Sequence, residues 1–241
     1  MEVSFHWAMV AYYAYADITA IKGALQAHSF RSSDPEDMKT NRMIYGSFSY
    51  ITIWNMCIQQ LYFVMCCREH LLSKEQKPTE KMRKARQVLL SSILFPTTFV
   101  VAMIYWYEYW KSPTLVYGDI LARIYPFWMD HVMHTFIVPI ALVAMYLSTT
   151  RERAWGSGRL RGWLIYNAFL TFYITVVIIA RLIRGIWPYP FLDPVNEDSI
   201  NSSPWLFFLS LYAVGGIWYY IGLHLSRHIL GSKPDGEKKR T

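Results

Sequence analysis

The chain has 241 residues, 54% hydrophobic and 17% aromatic, with 10 Trp, 18 Tyr, 13 Phe and a formal net charge of +7. That apolar and aromatic load excludes an ordinary soluble domain, and the positive charge does not argue for nucleic acid, because most Lys and Arg lie in short segments between apolar stretches. The 3 cysteines, Cys57, Cys66 and Cys67, fall in a single stretch and exclude a disulfide framework across loops.

Six apolar stretches, each long enough to cross a hydrocarbon core of about 30 Å, follow one another. The first, 3–25, has no basic leader and no small-residue cleavage site and is too long for a signal peptide, so it is expected to be retained. A polar outer loop, "SSDPEDMKTN", leads to the second, 44–67, whose far end carries Cys66 and Cys67 as buried small residues or as palmitoylation sites. The basic segment "SKEQKPTEKMRKAR" contains an amphipathic start to the third stretch, 87–109. The fourth is 125–147; Pro96 in the third and Pro139 in the fourth predict kinks. Arg151, Arg153, Arg159 and Arg161 precede and open the fifth, 160–181. Arg181 and Arg184 at its outer end are either snorkelling anchors or holders of a lipid carboxylate.

The sixth stretch, 204–226, is followed by a basic tail ending "KKRT". Its lysines occupy the places of a di-lysine retrieval signal read by coat proteins, or form a plain basic tail. The Lys- and Arg-rich segments alternate with poor ones, which puts the rich set, and both termini, on the cytosolic side. The expected fold is all-α: a multi-pass membrane bundle of six transmembrane helices, one domain over 1–226 with a cytosolic tail over 227–241. The endoplasmic reticulum membrane is favoured, with the plasma membrane as the other candidate.

The second stretch includes "YITIWNMCIQQLYF" and places Thr52, Asn55, Gln59 and Gln60 where hydrocarbon is expected. With Tyr45 and Ser49, the residues Thr52, Asn55 and Gln59 share one helical face, which must turn into the bundle. Counted from the outer boundary, Thr52 is about 12 Å deep. His134, with Asp130 and His131 one turn above it, is at nearly that depth in the fourth stretch, and Asp17 in the first.

A hydroxyl beside an imidazole is the minimum for nucleophilic catalysis: the histidine takes the threonine proton and later returns it to the leaving alcohol. Asp130 or Asp17 could orient the ring, and Asn55 or Gln59 could donate to an oxyanion. The alternatives are ordinary. Threonine in such helices bonds its own i−4 carbonyl or packs between helices. His131 and His134 could instead ligate a metal, in which case a chelator would abolish an activity that a threonine–histidine pair retains.

Together with "PFWMDHVMHTFIVPIAL" and "GIWPYPFLD", the second-span motif resembles the androgen-induced protein / androgen-dependent TFPI-regulating protein family over most of the chain. The resemblance implies a multi-pass hydrolase of fatty acid esters of hydroxy fatty acids. It implies a threonine nucleophile at Thr52 and a catalytic histidine at His134, with no metal or organic cofactor. The expected partners are the lipid ester and membrane lipids, not nucleic acid, with "WPYPF" as a lid or interfacial belt. The rival is a non-catalytic lipid-binding regulator or a transporter.

Overall fold

The computed structural model describes residues 2–29, 47–72, 80–113, 124–152, 158–185, 187–192 and 204–231, among which the regular structure is entirely helical. Helix α1 spans Glu2–Ser29 and α2 spans Ile51–Leu71. The rod α3, Glu80–Lys111, is continuous through a π-helical segment, Leu89–Leu94. Helices α4, Phe127–His134, and α5, Ile137–Glu152, form one interrupted rod. Helix α6 spans Arg159–Arg184 and α7 spans Pro204–Gly231.

Among the described residues, four rods are long and apolar enough to cross a bilayer: Glu80–Lys111, Phe127–Thr150, Arg159–Arg184 and Pro204–Ile229. Helices α1 and α2 have the length, but α2 carries Asn55, Gln59, Gln60, Arg68, Glu69 and His70, and α1 carries Asp17 and Lys22. The same polar residues that single out α2 in the sequence dilute its apolarity.

The middle of the bundle is α3, which packs against α2, α4, α5, α6 and α7. Its apolar window is 61% buried, against 28% for α6. Leu90, Leu94, Phe95, Val100 and Val101 supply the buried face. The outside is apolar as well: Leu182 is 77% exposed and Ile183 79%. In water such a surface would aggregate; in lipid tails it is the matched solvent.

The two prolines act locally. Pro96 has no N–H and its ring crowds the carbonyl four residues back. The helix absorbs this with π-type pairing, in which the Phe95 N–H reaches the Leu90 carbonyl. Pro139 follows a break at Thr135 and Phe136, where the Phe136 N–H reaches back to the His131 carbonyl at 2.8 Å.

Boundaries differ from the sequence expectation at several helices; α1 and α5, for example, run on to Ser29 and Glu152. Helix α2 begins at Ile51, not near 44: Ser47–Ser49 form a 3-10 turn and Tyr50 is extended, with φ −95° and ψ 124°. Ser47 and Ser49 are weak helix formers, and tertiary hydrogen bonds described below hold Ser49 and Tyr50 instead. Helix α7 runs on to Gly231, past the expected end at 226. The outer loop "SSDPEDMKTN" and the "KKRT" tail lie outside the described residues. Cys66 and Cys67 are buried and pack as core, which leaves no acylation site there, and Cys57 is exposed.

The end of α2 is pinned to the start of α3 by a buried ion pair. Arg86 Nε donates to Glu69 Oε1 at 2.9 Å with side chains 1% and 3% exposed, and Arg86 Nη1 lies 3.6 Å from Cys66 Sγ. Removing one partner strands a buried charge, at a cost of about 3–5 kcal/mol. Arg86→Leu is therefore expected to lower Tm steeply in detergent. The double variant Arg86→Leu/Glu69→Leu should recover much of that loss, as scanning fluorimetry would show.

Candidate active site

The site begins at the N-terminus of α2, where Tyr50 provides no side-chain cap. The Ile51 N–H, which has no intrahelical acceptor, donates instead to Tyr189 Oη at 2.9 Å. Tyr173 donates to the Ser49 carbonyl at 2.9 Å, so the 2.5 Å contact between the two phenols is Tyr189 donating to Tyr173. Tyr50 donates to the Pro188 carbonyl at 2.9 Å. These bonds hold "SFSY" out of the helix and fasten the "WPYPF" loop over the start of α2. Trp187 and Tyr189 pack there on the cluster that contains Ile51, Phe191 and Phe208.

One residue further on, Thr52 Oγ1 lies 3.3 Å from His134 Nε2. His134 is the last residue of α4, 5% exposed, and its Nδ1 lies 3.1 Å from the backbone carbonyl of Asp130. A carbonyl only accepts, so Nδ1 carries the proton and Nε2 presents its lone pair to the threonine hydroxyl. The ring is further fixed by Tyr105, stacked on it at 3.5 Å between centroids and 5° between planes. Thr52 is half-buried, and His134 behind it is buried.

The remaining predicted residues are distributed as follows. Asp130 contributes its backbone carbonyl as the ring's acceptor; its carboxylate Oδ1 is 3.7 Å from Nδ1, beyond hydrogen-bond reach. His131 turns to Thr135, Nδ1 to Oγ1 3.0 Å, and stacks on Trp106, so it does not join His134 as a ligand pair. Asp17 accepts from Gln60 Nε2 at 2.7 Å. Gln60 is two turns beyond Thr52, so Asp17 lies about 12 Å further along α2 and is not the ring's orienting group. The antiparallel register of α1 on α2, with Tyr13 at Gln59 and His6 at His70, determines this.

Gln59 is fully engaged: Oε1 accepts from Tyr13 and Nε2 donates to Thr98 Oγ1 at 3.2 Å. Thr98 in turn donates to Asn55 Oδ1 at 3.1 Å. That chain orients the Asn55 amide so that its Nδ2, fully buried and one turn from Thr52, is left with no acceptor. Arg181 lies over the Trp187 ring at 5.7 Å and Arg184 is exposed; neither joins the pair. An open groove of about 810 Å³ between α6 and α7, lined by Trp163, Tyr212, Tyr220 and His224, includes neither Thr52 nor His134.

Sequence reasoning did not find Thr98, Tyr105 or Tyr173. Thr98 was within reach of it, since "PTT" is a polar pair inside an apolar span just as Thr52 and Asn55 are. The tyrosines carry no such signal in a chain with 18 of them.

An all-helical bundle with an apolar exterior and interior polar contacts between helices defines a helical membrane protein. The family described as FAR-17a/AIG1-like protein matches residues 5–227, and the chain belongs to that family. It is similar to the Androgen-dependent TFPI-regulating protein of Mesocricetus auratus, 27% identical over 199 residues covering 81% of this chain and 83% of the relative. Similarity extends to the Homo sapiens Androgen-induced gene 1 protein, 24% over 216 residues covering 85% and 86%. The Mus musculus Androgen-dependent TFPI-regulating protein is 28% identical over 178 residues covering 73% and 74%. No solved structure matches.

The phenol relay gives a direct test. Tyr189→Phe leaves the Ile51 N–H without an acceptor and removes the donor to Tyr173, whose own bond to the Ser49 carbonyl remains, a loss of about 1–3 kcal/mol. Tm should fall by about 2–4 °C per kcal/mol. Tyr50→Phe, which breaks one hydrogen bond where Tyr189→Phe breaks two, should move Tm less.

Proposed function

We propose that this protein is an intramembrane lipid hydrolase that cleaves the ester bond of fatty acid esters of hydroxy fatty acids, with Thr52 as nucleophile and His134 as general base. The contact of 3.3 Å between Thr52 Oγ1 and a His134 Nε2 whose tautomer is fixed by the Asp130 carbonyl carries the reading. Six crossings with both termini in the cytosol fit it. Helices α1 and α2 direct Asp17, Thr52, Asn55, Gln59 and Gln60 at one another and at α3 and α4, and apolar residues such as Ile18, Ile21 and Leu61 are left for the lipid side. The endoplasmic reticulum, through a coat-read "KKRT" tail, is the proposed compartment.

The ester enters sideways from the bilayer. As Thr52 Oγ bonds to the ester carbonyl carbon, its proton moves to His134 Nε2 and the carbonyl oxygen becomes an oxyanion. Thr52 sits in the first turn of α2, where the helix dipole favours negative charge, and the Asn55 Nδ2–H groups are donors one turn away. Collapse breaks the bond to the hydroxy fatty acid, whose oxygen takes the proton from His134. Water, deprotonated by the same nitrogen, attacks the acyl-threonine and releases the fatty acid, restoring Thr52 and neutral His134.

The test is turnover of a branched fatty acid ester by purified protein in nanodiscs, with product read by mass spectrometry. Thr52→Ala and His134→Ala are each expected to lose at least about 10³-fold in kcat while remaining folded. Undiminished turnover in both removes the mechanism, and tight binding without turnover in the wild type makes the protein a lipid-binding regulator instead. Asn55→Ala should lower kcat by about 10²-fold with little change in KM. A KM effect alone would reassign Asn55 to packing.

A further inference from the structure

Antiparallel packing of α1 on α2 brings the first turn of α1 to the last turn of α2. Glu2 and His6 stand at i and i+4, on one face of α1, and His70 faces them from α2. His6 Nδ1 lies 2.9 Å from His70 Nε2, and the rings are 5.2 Å apart between centroids. One ligand atom from each of Glu2, His6 and His70 falls within 4.8 Å of the other two.

We propose that Glu2, His6 and His70 bind a divalent transition-metal ion, zinc by preference, that ties α1 to α2. Two imidazoles and one carboxylate form a borderline N/O set that suits zinc, with the fourth tetrahedral position left for water. Zn–N bonds of about 2.0–2.1 Å in a tetrahedral site put ligand atoms about 3.4 Å apart. The two nitrogens therefore need to separate by only half an ångström or so, within the freedom of His70 at a helix end. His6 is 1% exposed and walled by Phe5 and Phe63, with ring centroids 5.8 and 5.9 Å away. In that apolar shell a dication attracts a carboxylate more strongly than it would in water. The site is 18 residues along α2 from Thr52, about 27 Å, so it is structural and stands or falls independently of the hydrolase reading.

The experiment uses the full chain in detergent, stripped with chelator and then dialysed against zinc or cobalt. Wild type should retain one metal per chain after desalting and give the visible bands of four-coordinate cobalt. Its Tm should rise by about 5 °C at roughly a hundredfold excess over Kd. His6→Ala and His70→Ala should each weaken binding by about 100-fold or more, and Glu2→Gln by less. The exposed pair His224 and His228 on α7, 3.0 Å apart, is the competing site. The double variant His224→Ala/His228→Ala should bind like wild type. Wild-type protein that takes up no metal overturns the assignment, and so does metal lost only in the His224/His228 variant. Should His6→Ala fail to fold, the wild-type cobalt spectrum and His70→Ala decide.

Discussion

Hydrocarbon offers nothing to a hydrogen-bonding group, so a polar side chain inside the bundle gains from a partner on another helix. That preference sets the register of α2, from which the rest of the arrangement follows. Down its length, Thr52 meets His134 of α4, Asn55 meets Thr98 of α3, and Gln59 meets both Tyr13 of α1 and Thr98. Gln60 meets Asp17, Glu69 meets Arg86 and His70 meets His6. A slide of one turn, about 5.4 Å, would break all of these at once. Apolar side chains alone could not discriminate so sharply, since lipid tails solvate Leu as well as another Leu does.

The prolines serve the same end. A straight α3 would carry Thr98 and Tyr105 at fixed angles from its amphipathic, basic start. The π-helical segment before Pro96 separates that start from the half that bears Thr98, bonded to Asn55, and Tyr105, stacked on His134. The break at Thr135 ends α4 at His134, so the imidazole sits at a helix terminus rather than in the middle of a rod.

Much of the bundle was legible because crossing a bilayer demands about 20 apolar residues, and the chain supplies that signal repeatedly. The meeting of Thr52 and His134 was legible too, but partly for a reason that does not hold. Depth counting assumed helix from residue 44, whereas α2 starts at Ile51. A separate count, from an expected end of the first stretch near residue 25, put Asp17 in their layer; α1 runs on to Ser29, and its register puts Asp17 opposite Gln60. Counting fixes depth only as well as helix ends are known, and those ends depend on contacts such as Tyr189 with Ile51, 138 residues apart. Of the two candidates to orient the ring, Asp130 meets it through its backbone carbonyl and not its carboxylate, because side-chain chemistry is visible in a sequence and backbone carbonyls are not.

The late start of α2 also explains how a threonine can offer its proton at all. In the interior of a helix a threonine hydroxyl donates to the carbonyl four residues back. Here Thr19 donates to Tyr15, Thr150 to Tyr146, Thr171 to Asn167 and Thr175 to Thr171, at 2.8 to 3.0 Å. Thr52 lies in the first turn, and the carbonyl four residues before it, that of Phe48, is in the 3-10 turn and accepts from Trp54 Nε1 at 2.7 Å. With Phe48 outside α2 and the chain extended at Tyr50, the hydroxyl is instead 3.3 Å from His134 Nε2. The tyrosines that hold "SFSY" out of the helix therefore separate Thr52 from Thr19, Thr150, Thr171 and Thr175. An α2 that ran helical from residue 44 would keep the same two side chains and return the proton to the backbone.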